Sequence, residues 1–440
     1  AMAAPGAALA GAVLYGKLNV SIDYADVTNA PTGAVNADGV PYDVHYVDRN
    51  GDPAPPGERF LDANGKPLTT GGVDFSGWGI SARGNSMPGS GRGNRIGIKG
   101  SEDLGNGLDA IYQVEFSVDN MVSGSGVSYR NSFVGVAGDF GTVLAGRHDT
   151  PLKMSTGKLD LFSDTMADYN GTIGFDDVRA PTAVAYISPS ISGLSFAGAI
   201  HTGGGGGTVG PDNINNTSLA AAYSLALIYS NGPFYGSAAY EAFNKDMYMT
   251  SQESLQGSQQ CLNADGTQTV SCNYVGNDYK HWRLGLGMLD WNGFTLTAIY
   301  EQQDDLPDGQ TRSPVTINYA DGTIDTFGLA NGTKKQRLWQ VQAGYSFGNN
   351  MVKAMYGSVD RTDAKVAGEA SRTRDLDSLR NDLSGDRSAW AIGFDHNFSK
   401  RTKAYAVYTN VSDDRNSVPG FGINNGRDWN GFSLGLVHKF

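Results

Sequence analysis

The chain predicts an all-β protein, a sixteen-stranded antiparallel transmembrane β-barrel with short periplasmic turns and long extracellular loops. Three observations carry that prediction. Apolar and polar residues alternate with period two through run after run. No apolar stretch approaches the ~20 residues of a spanning helix; the longest, 219–229, is interrupted by Ser224. Connections alternate between short turns and long loops without exception, and a closed antiparallel sheet sorts these to opposite ends. In lipid only helices and closed barrels satisfy every backbone group, so a chain of this pattern crosses as strands. Its negative mean hydropathy does not oppose this, because lipid-facing residues alternate with lumen-facing ones.

The first run, LYGKLNVSIDY, puts Leu14, Leu18, Val20, Ile22 and Tyr24 on one face and Lys17, Asn19, Ser21 and Asp23 on the other. A polar stretch from Val27 to about Gly72 follows, punctuated by Pro31, Pro41, Pro53, Pro55 and Pro56, and reads as loop. Within the same connection, VDFSGWGISAR at 73–83 is either a hairpin arm or an early start of the second strand. NRIGIKGSEDL then turns at Gly105-Asn106-Gly107 and returns as LDAIYQVEFSV, the cleanest alternation in the chain. Further strands are expected at about 131–138, 141–148, 182–189, 194–202, 218–229, 234–244, 279–290, 294–304, 335–347, 351–361, 387–398, 402–411 and 428–440, which completes sixteen. Short turns centre on Asn106, Phe140, Ile191, Gly232, Asn292, Asn349 and Lys400. Long loops occupy about 27–93, 119–130, 149–181, 203–217, 245–278, 305–334, 362–386 and 412–427. Phe140, Phe234, Trp291, Phe294, Phe347 and Phe398 flank the short turns and are expected to form an inner aromatic girdle.

Composition narrows the function. With 33 Lys and Arg against 45 Asp and Glu, the net charge is −12, so no basic patch points to nucleic acid. The six His are scattered, with no zinc-like spacing. Asp48-Arg49-Asn50-Gly51-Asp52 starts like a calcium loop, but Pro53 and Arg59 stand where Gly and Glu belong. No metal and no cofactor are expected. Cys261 and Cys272, the only cysteines, lie in a polar loop; bonded they would close a short ring, and unrelated thiols are the alternative. The opening AMAAPGAALAGAV lacks a basic region ahead of an apolar core and is expected to be a mature end or leader remnant.

The segment 149–181, the third long loop, is not composed like a disordered one. Leu152, Met154, Leu161, Phe162, Met166, Ile173 and Phe175 need something to pack on. It is also acidic, and an ordered acidic loop between two strands would fold into a barrel mouth; a docked surface loop is the plainer alternative.

The final strand, DWNGFSLGLVHKF, has Phe432, Leu434, Leu436, His438 and Phe440 on one face. With it, Leu14-Tyr15-Gly16, RIGIKGSEDLGNG at 95–107, FVGVAGDFGTVLAGR at 133–147 and RAPTAVAYISP at 179–189 make a set. On these motifs the chain resembles the Gram-negative general diffusion porins over nearly its whole barrel. The resemblance implies one barrel domain over 1–440, usually a homotrimer, in the outer membrane, passing ions and small hydrophilic solutes. It implies a third loop folded into the lumen, and a terminal Phe440 read by the barrel-insertion machinery. Outer-membrane lipid and lipopolysaccharide are the other partners implied.

A pore of this kind makes no bonds and selects by charge and size. The loop acids expected at the constriction are Asp149, Asp160, Asp164 and Asp168, the last three aligned by i, i+4, i+8 spacing if that part is helical. Inward parity selects Lys17, Arg95, Lys99, Arg283 and Lys353 on the wall, with Arg147 where the loop departs. Neutralising Asp164 and Asp168 together is expected to favour anions. A substrate-selective channel, a surface adhesin using the long loops, and a barrel hydrolase built on His148 are the competing functions.

Overall fold

The computed structural model describes residues 11–30, 45–46, 61–62, 69–70, 73–81, 93–118, 127–202, 219–244, 261–262, 268–269, 278–307, 315–318, 324–327, 332–364, 386–413 and 428–440. Its main strands are β1 (Val13–Ala30), β2 (Val73–Ser81), β3 (Arg95–Gly105), β4 (Leu108–Ser117), β5 (Ser128–Gly138) and β6 (Gly141–Asp149). They continue as β7 (Arg179–Ile187), β8 (Leu194–His201), β9 (Ala222–Asn231), β10 (Phe234–Phe243), β11 (Tyr279–Trp291) and β12 (Phe294–Pro307). The last five are β13 (Gly332–Phe347), β14 (Asn350–Ala364), β15 (Arg387–Asn397), β16 (Thr402–Asp413) and β17 (Trp429–Lys439). Two short helices, α1 (Pro151–Thr156) and α2 (Tyr169–Thr172), lie between β6 and β7.

All of these strands except β2 form a closed antiparallel barrel of sixteen. From β3 to β17 each pairs with its successor. β1 shuts the ring, running against β17 from Lys17↔Lys439 to Val27↔Trp429 and against β3 from Val13↔Lys99 to Lys17↔Arg95. Closure leaves no ladder edge to face lipid.

The wall carries out the period-two pattern. On β1, Lys17, Asn19, Ser21 and Asp23 are buried inward while Leu14 and Ile22 are 58% and 52% exposed on the outside. Outward aromatics join across strands: Tyr240↔Trp282, Tyr300↔Trp339, Tyr356↔Trp390, Tyr408↔Phe432, Phe432↔Tyr24 and Tyr24↔Trp78. Below them, the six aromatics beside the short turns are all exposed. Two aromatic belts, the upper rich in Tyr and Trp and the lower mostly Phe, are what a bilayer asks of a barrel.

Of the segment 73–83, Val73–Ser81 becomes a strand of its own. β2 pairs with the upper half of β1, from Ser21↔Ser81 to Ala30↔Val73, above the point where β3 leaves off. The stave beside β1 is therefore in two pieces. At the break a side chain replaces the ladder: Asn19 N–H donates to Asn94 Oδ1 at 2.5 Å and Asn94 Nδ2 donates to Asn19 O at 3.1 Å. No backbone group on Asn19 is stranded there.

Several strands reach further toward the long loops than alternation suggests. β6 ends at Asp149 and β7 begins at Arg179, ahead of Pro181, with a register shift between Ala180 and Ala183 that accommodates the proline. Beyond the bilayer both faces are polar, so the ladder continues where the alternation has ended. Among the long loops, Leu61–Asp62 pairs with Val315–Asn318, tying the first to the 305–334 loop. The Cys261–Cys272 pairing falls outside the described residues.

Candidate functional site

The segment between β6 and β7 begins at a helix cap. Thr150 Oγ1 accepts from Lys153 N–H and Pro151 opens α1, a proline where no amide bond is lost. From there the chain runs along the inner wall. Leu152 N–H donates to Ser224 Oγ at 3.0 Å, Tyr235 OH donates to Ser155 O at 2.8 Å, and Thr297 Oγ1 donates to Leu159 O at 2.8 Å. Gln342 clasps the next turn, accepting from Leu161 N–H at 2.6 Å and donating to Asp160 Oδ1 at 2.9 Å. Lys353 Nζ donates to Leu161 O at 2.7 Å. The far end docks on β1, where Lys17 pairs with Asp164 and Asn19 Nδ2 donates to Asp164 O at 2.7 Å.

Glycines in the wall make room for this path. A Cβ on Gly285 would stand 2.6 Å from Leu159 Cδ1, one on Gly393 3.0 Å from Phe162 Cε1, and one on Gly431 2.5 Å from Met166 Sδ. Gly287, Gly344 and Gly357 likewise face Leu159, Leu161 and Ile173. All occupy inward positions on β11, β13, β14, β15 and β17. The segment's Leu152, Leu159, Phe162, Met166 and Ile173 are at most 1% exposed and share one cluster with inward Ile299, Leu338, Val359, Val407 and Val411. At ~1.5–3 kcal/mol per buried side chain, this packing contributes on the order of 10 kcal/mol before ordering entropy. The bore therefore holds an apolar core along the β9–β17 half of its wall, where a wet lining was expected.

The loop acids do not share a helical face. Helix covers 151–156 and 169–172, and 160–168 is a succession of turns, with Asp164 at φ 62°. Asp160 and Asp168 are internal caps. Asp160 Oδ1 accepts Phe162 N–H at 2.9 Å; Asp168 accepts Asn170 N–H at 2.9 Å and Asp164 N–H at 2.8 Å. Short polar side chains that satisfy local amides favour such turns over helix. Burial pushes the Asp160 carboxyl up to about 6. Burial first, then repulsion from Asp160 and Asp164, pushes that of Asp168 up to about 8. Asp149 staples the two ends of the segment, taking Arg179 at 2.9 Å and Lys153 at 3.2 Å.

Of the expected wall bases, Lys17, Arg283 and Lys353 are anchors rather than plates across a gap. Arg283 is fully buried, paired with Glu301 and, at 2.7 Å, with Asp177 Oδ1. Lys353 also holds Asp395 at 3.0 Å. Lys99 lies 5.2 Å over the Tyr15 ring, away from the segment. Arg147 sits opposite Ser132, one step out of phase with the inward Gly135↔Leu144 pair, which places it on the outer face with no ion pair among the described residues. Arg95 lines the free half of the bore, 28% exposed and 3.7 Å from Glu115.

Sequence reading missed Arg130, which holds Glu115 at 2.5 Å, and Lys403, which holds Asp395 at 2.8 Å, with side chains 20% and 32% exposed. The sequence pattern ends the 119–130 loop at Arg130, two residues beyond where β5 begins; Lys403 shares inward parity with Tyr405. His148 Nδ1 meets the Asp149 carbonyl at 2.8 Å and its ring meets Phe133, so it has no nucleophile beside it among the described residues.

Residues 1–416 match a family model described as Gram-negative porin. The major outer membrane protein P.IA of Neisseria meningitidis serogroup B is 27% identical over 385 residues, 79% of this chain and 81% of that one. Among solved structures, an anion-selective porin from Comamonas acidovorans superposes with TM-score 0.55 at 18% identity, over 98% of this chain and 99% of the other. OmpT from Vibrio cholerae in its trimer form gives 0.50 at 11% identity, over 98% and 99%.

Proposed function

The chain belongs to the Gram-negative porin family and is a diffusion channel of the outer membrane, and on that premise we propose that segment 149–181 is its constriction and that the passage prefers anions. Porin membership supports reading it as a channel. Ions and small hydrophilic solutes pass between the segment and the free wall of β3 to β6. One observation carries the sign of the preference. Asp160 and Asp168 serve as caps, and Asp149 and Asp164, 21% and 27% exposed, are matched by Arg179 and Lys17. By contrast Arg95, Arg130 and Lys403, 20% to 32% exposed, outnumber the carboxylates they meet, Glu115 and Asp395. Glu115 and Asp395, each 8% exposed, offset two of the three. Residual positive charge in a low-dielectric passage attracts anions.

Reversal potentials in planar bilayers under a potassium chloride gradient test this. Wild type is expected to favour chloride, and Arg95→Ala with Arg130→Ala to move the potential toward the cation value. A cation-selective wild type, or a double variant with an unchanged potential, would overturn the reading.

The barrel acts as a homotrimer. Supporting this, Arg147 projects from the outer face with no ion pair among the described residues, and an arginine facing lipid costs up to ~2–4 kcal/mol, the more the deeper it lies; a protein neighbour removes that cost. Lipid and lipopolysaccharide surround the rest, and Phe440 is read by the insertion machinery during assembly.

A further inference from the structure

Beyond the cap and the tip, the returning leg of the segment has an anchor of another kind. Tyr279 OH donates to Asp176 Oδ2 at 3.0 Å and lies 3.2 Å from His281 Nδ1. His281 Nε2 lies 2.9 Å from Glu241 Oε1. Only an N–H can satisfy the contact with a carboxylate, so Nε2 carries hydrogen. Tyr279 has one hydrogen. If it goes to Asp176, Nδ1 must donate to the phenol oxygen and the ring is an imidazolium. If Asp176 is protonated instead, it donates to the phenol, whose hydrogen turns to a neutral Nδ1. Both arrangements contain the same number of protons. Remove one, and the single phenol hydrogen can serve Asp176 or Nδ1 but not both.

Arg283 holds the returning leg as well, donating to Asp177 Oδ1 at 2.7 Å and to Asp176 O at 3.0 Å. We propose that the exchangeable proton is the pH-dependent part of this latch, and that its loss at alkaline pH loosens the leg toward the bore so that the channel closes more often. The proposal rests on the reading of 149–181 as the constriction. The surroundings favour keeping the proton. His281 faces Glu241 of β10, Glu301 of β12 at 3.6 Å, and Asp176 through Tyr279. Arg283 on its own strand is already committed to Glu301 and Asp177. On β8, His201 is buried within electrostatic reach of Glu241. Without the shared proton, four carboxylates, Glu241, Glu301, Asp176 and Asp177, face Arg283 as the sole fixed cation of the group. Burial holds the Asp176 carboxyl above its usual range, with His281 opposing and Glu301 and Glu241 adding to the shift.

Single-channel recordings run from about pH 6, below the unperturbed imidazole value of about 6.5, to about pH 10, well above it. In wild type the ratio of open to closed time is expected to fall about tenfold across that range, the factor carried by one charged hydrogen bond. Asp176→Asn and His281→Gln each remove the shared proton and are expected to flatten the dependence. Amide exchange over 173–178 should be faster in wild type than in Asp176→Asn at the same alkaline pH. A pH step of equal size in both variants, or a conducting wild type indifferent to pH, overturns the latch. If one variant fails to assemble, the other decides. Reversal potentials recorded in the same membranes report on the basic wall separately, so failure of one reading is seen apart from failure of the other.

Discussion

Asp168 shows how position inside a fold overrides residue type. In sequence it is one of several carboxylates in an acidic loop; in the structure it is 5% exposed and beside two others. At neutral pH it holds its proton and contributes little field to the passage, so of the pair Asp164 and Asp168 only the first carries charge to be neutralised. The linkage sign follows from a folded pKa raised to about 8. The stabilisation is complete below the unfolded carboxyl value of about 4 and is lost as pH rises through about 8. Melting of the folded barrel is therefore expected at lower temperature at about pH 9 than at about pH 6, and Asp168→Asn should remove much of that difference. Infrared spectra of wild type at neutral pH should contain a protonated-carboxyl band that the variant lacks. Identical spectra would show that Asp168 is ionised.

At the scale of elements, the inserted segment is held by packing more than by charge. Its turns seat apolar side chains on inward glycines, and each glycine allows an approach that any Cβ would block. Gly285→Val tests this. The new side chain meets Leu159 and Ser237, both 2.6 Å from the Cβ position, and overpacking of this kind costs ~1–3 kcal/mol. The barrel should still assemble, since Gly285 stays within a paired strand, but Leu159 must leave the wall and single-channel conductance should drop. Unchanged conductance would mean that the segment does not depend on this seat. Inward glycines on β11, β13, β14, β15 and β17 were visible in the sequence as breaks in the alternation; what they accommodate was not, because the segment that fills them lies more than a hundred residues away in the chain.

For the molecule as a whole, closure is the decisive event. Gly16 and Phe440 exchange backbone hydrogen bonds, N–H to O at 3.0 and 3.1 Å, and the Phe440 ring lies over Gly16, where a Cβ could not fit. First and last strands thus lock at a point where a glycine and an aromatic ring occupy the same patch of wall. Phe440→Ala removes a ring that is 39% exposed, a loss of about 1–2 kcal/mol of burial. The yield of heat-modifiable folded barrel should fall, with those barrels that do form conducting like wild type. A full yield would separate Phe440 from both closure and assembly.

The amino-acid sequence by itself determined the barrel: strand count, which face meets lipid, where the short turns lie, and the aromatic belts. These follow from period-two alternation and turn chemistry, which are local and repeat sixteen times, so misplacing one boundary, as at Arg130 or β2, does not alter the count. The tertiary structure alone decided the state of the charges. Whether an aspartate caps a turn, pairs with a lysine or faces water depends on partners brought from other strands. Lys17 and Asp164 are 147 residues apart, and Asp160 and Gln342 are 182 apart. No periodicity encodes those meetings; they arise when the ring closes and the segment packs against its inner wall.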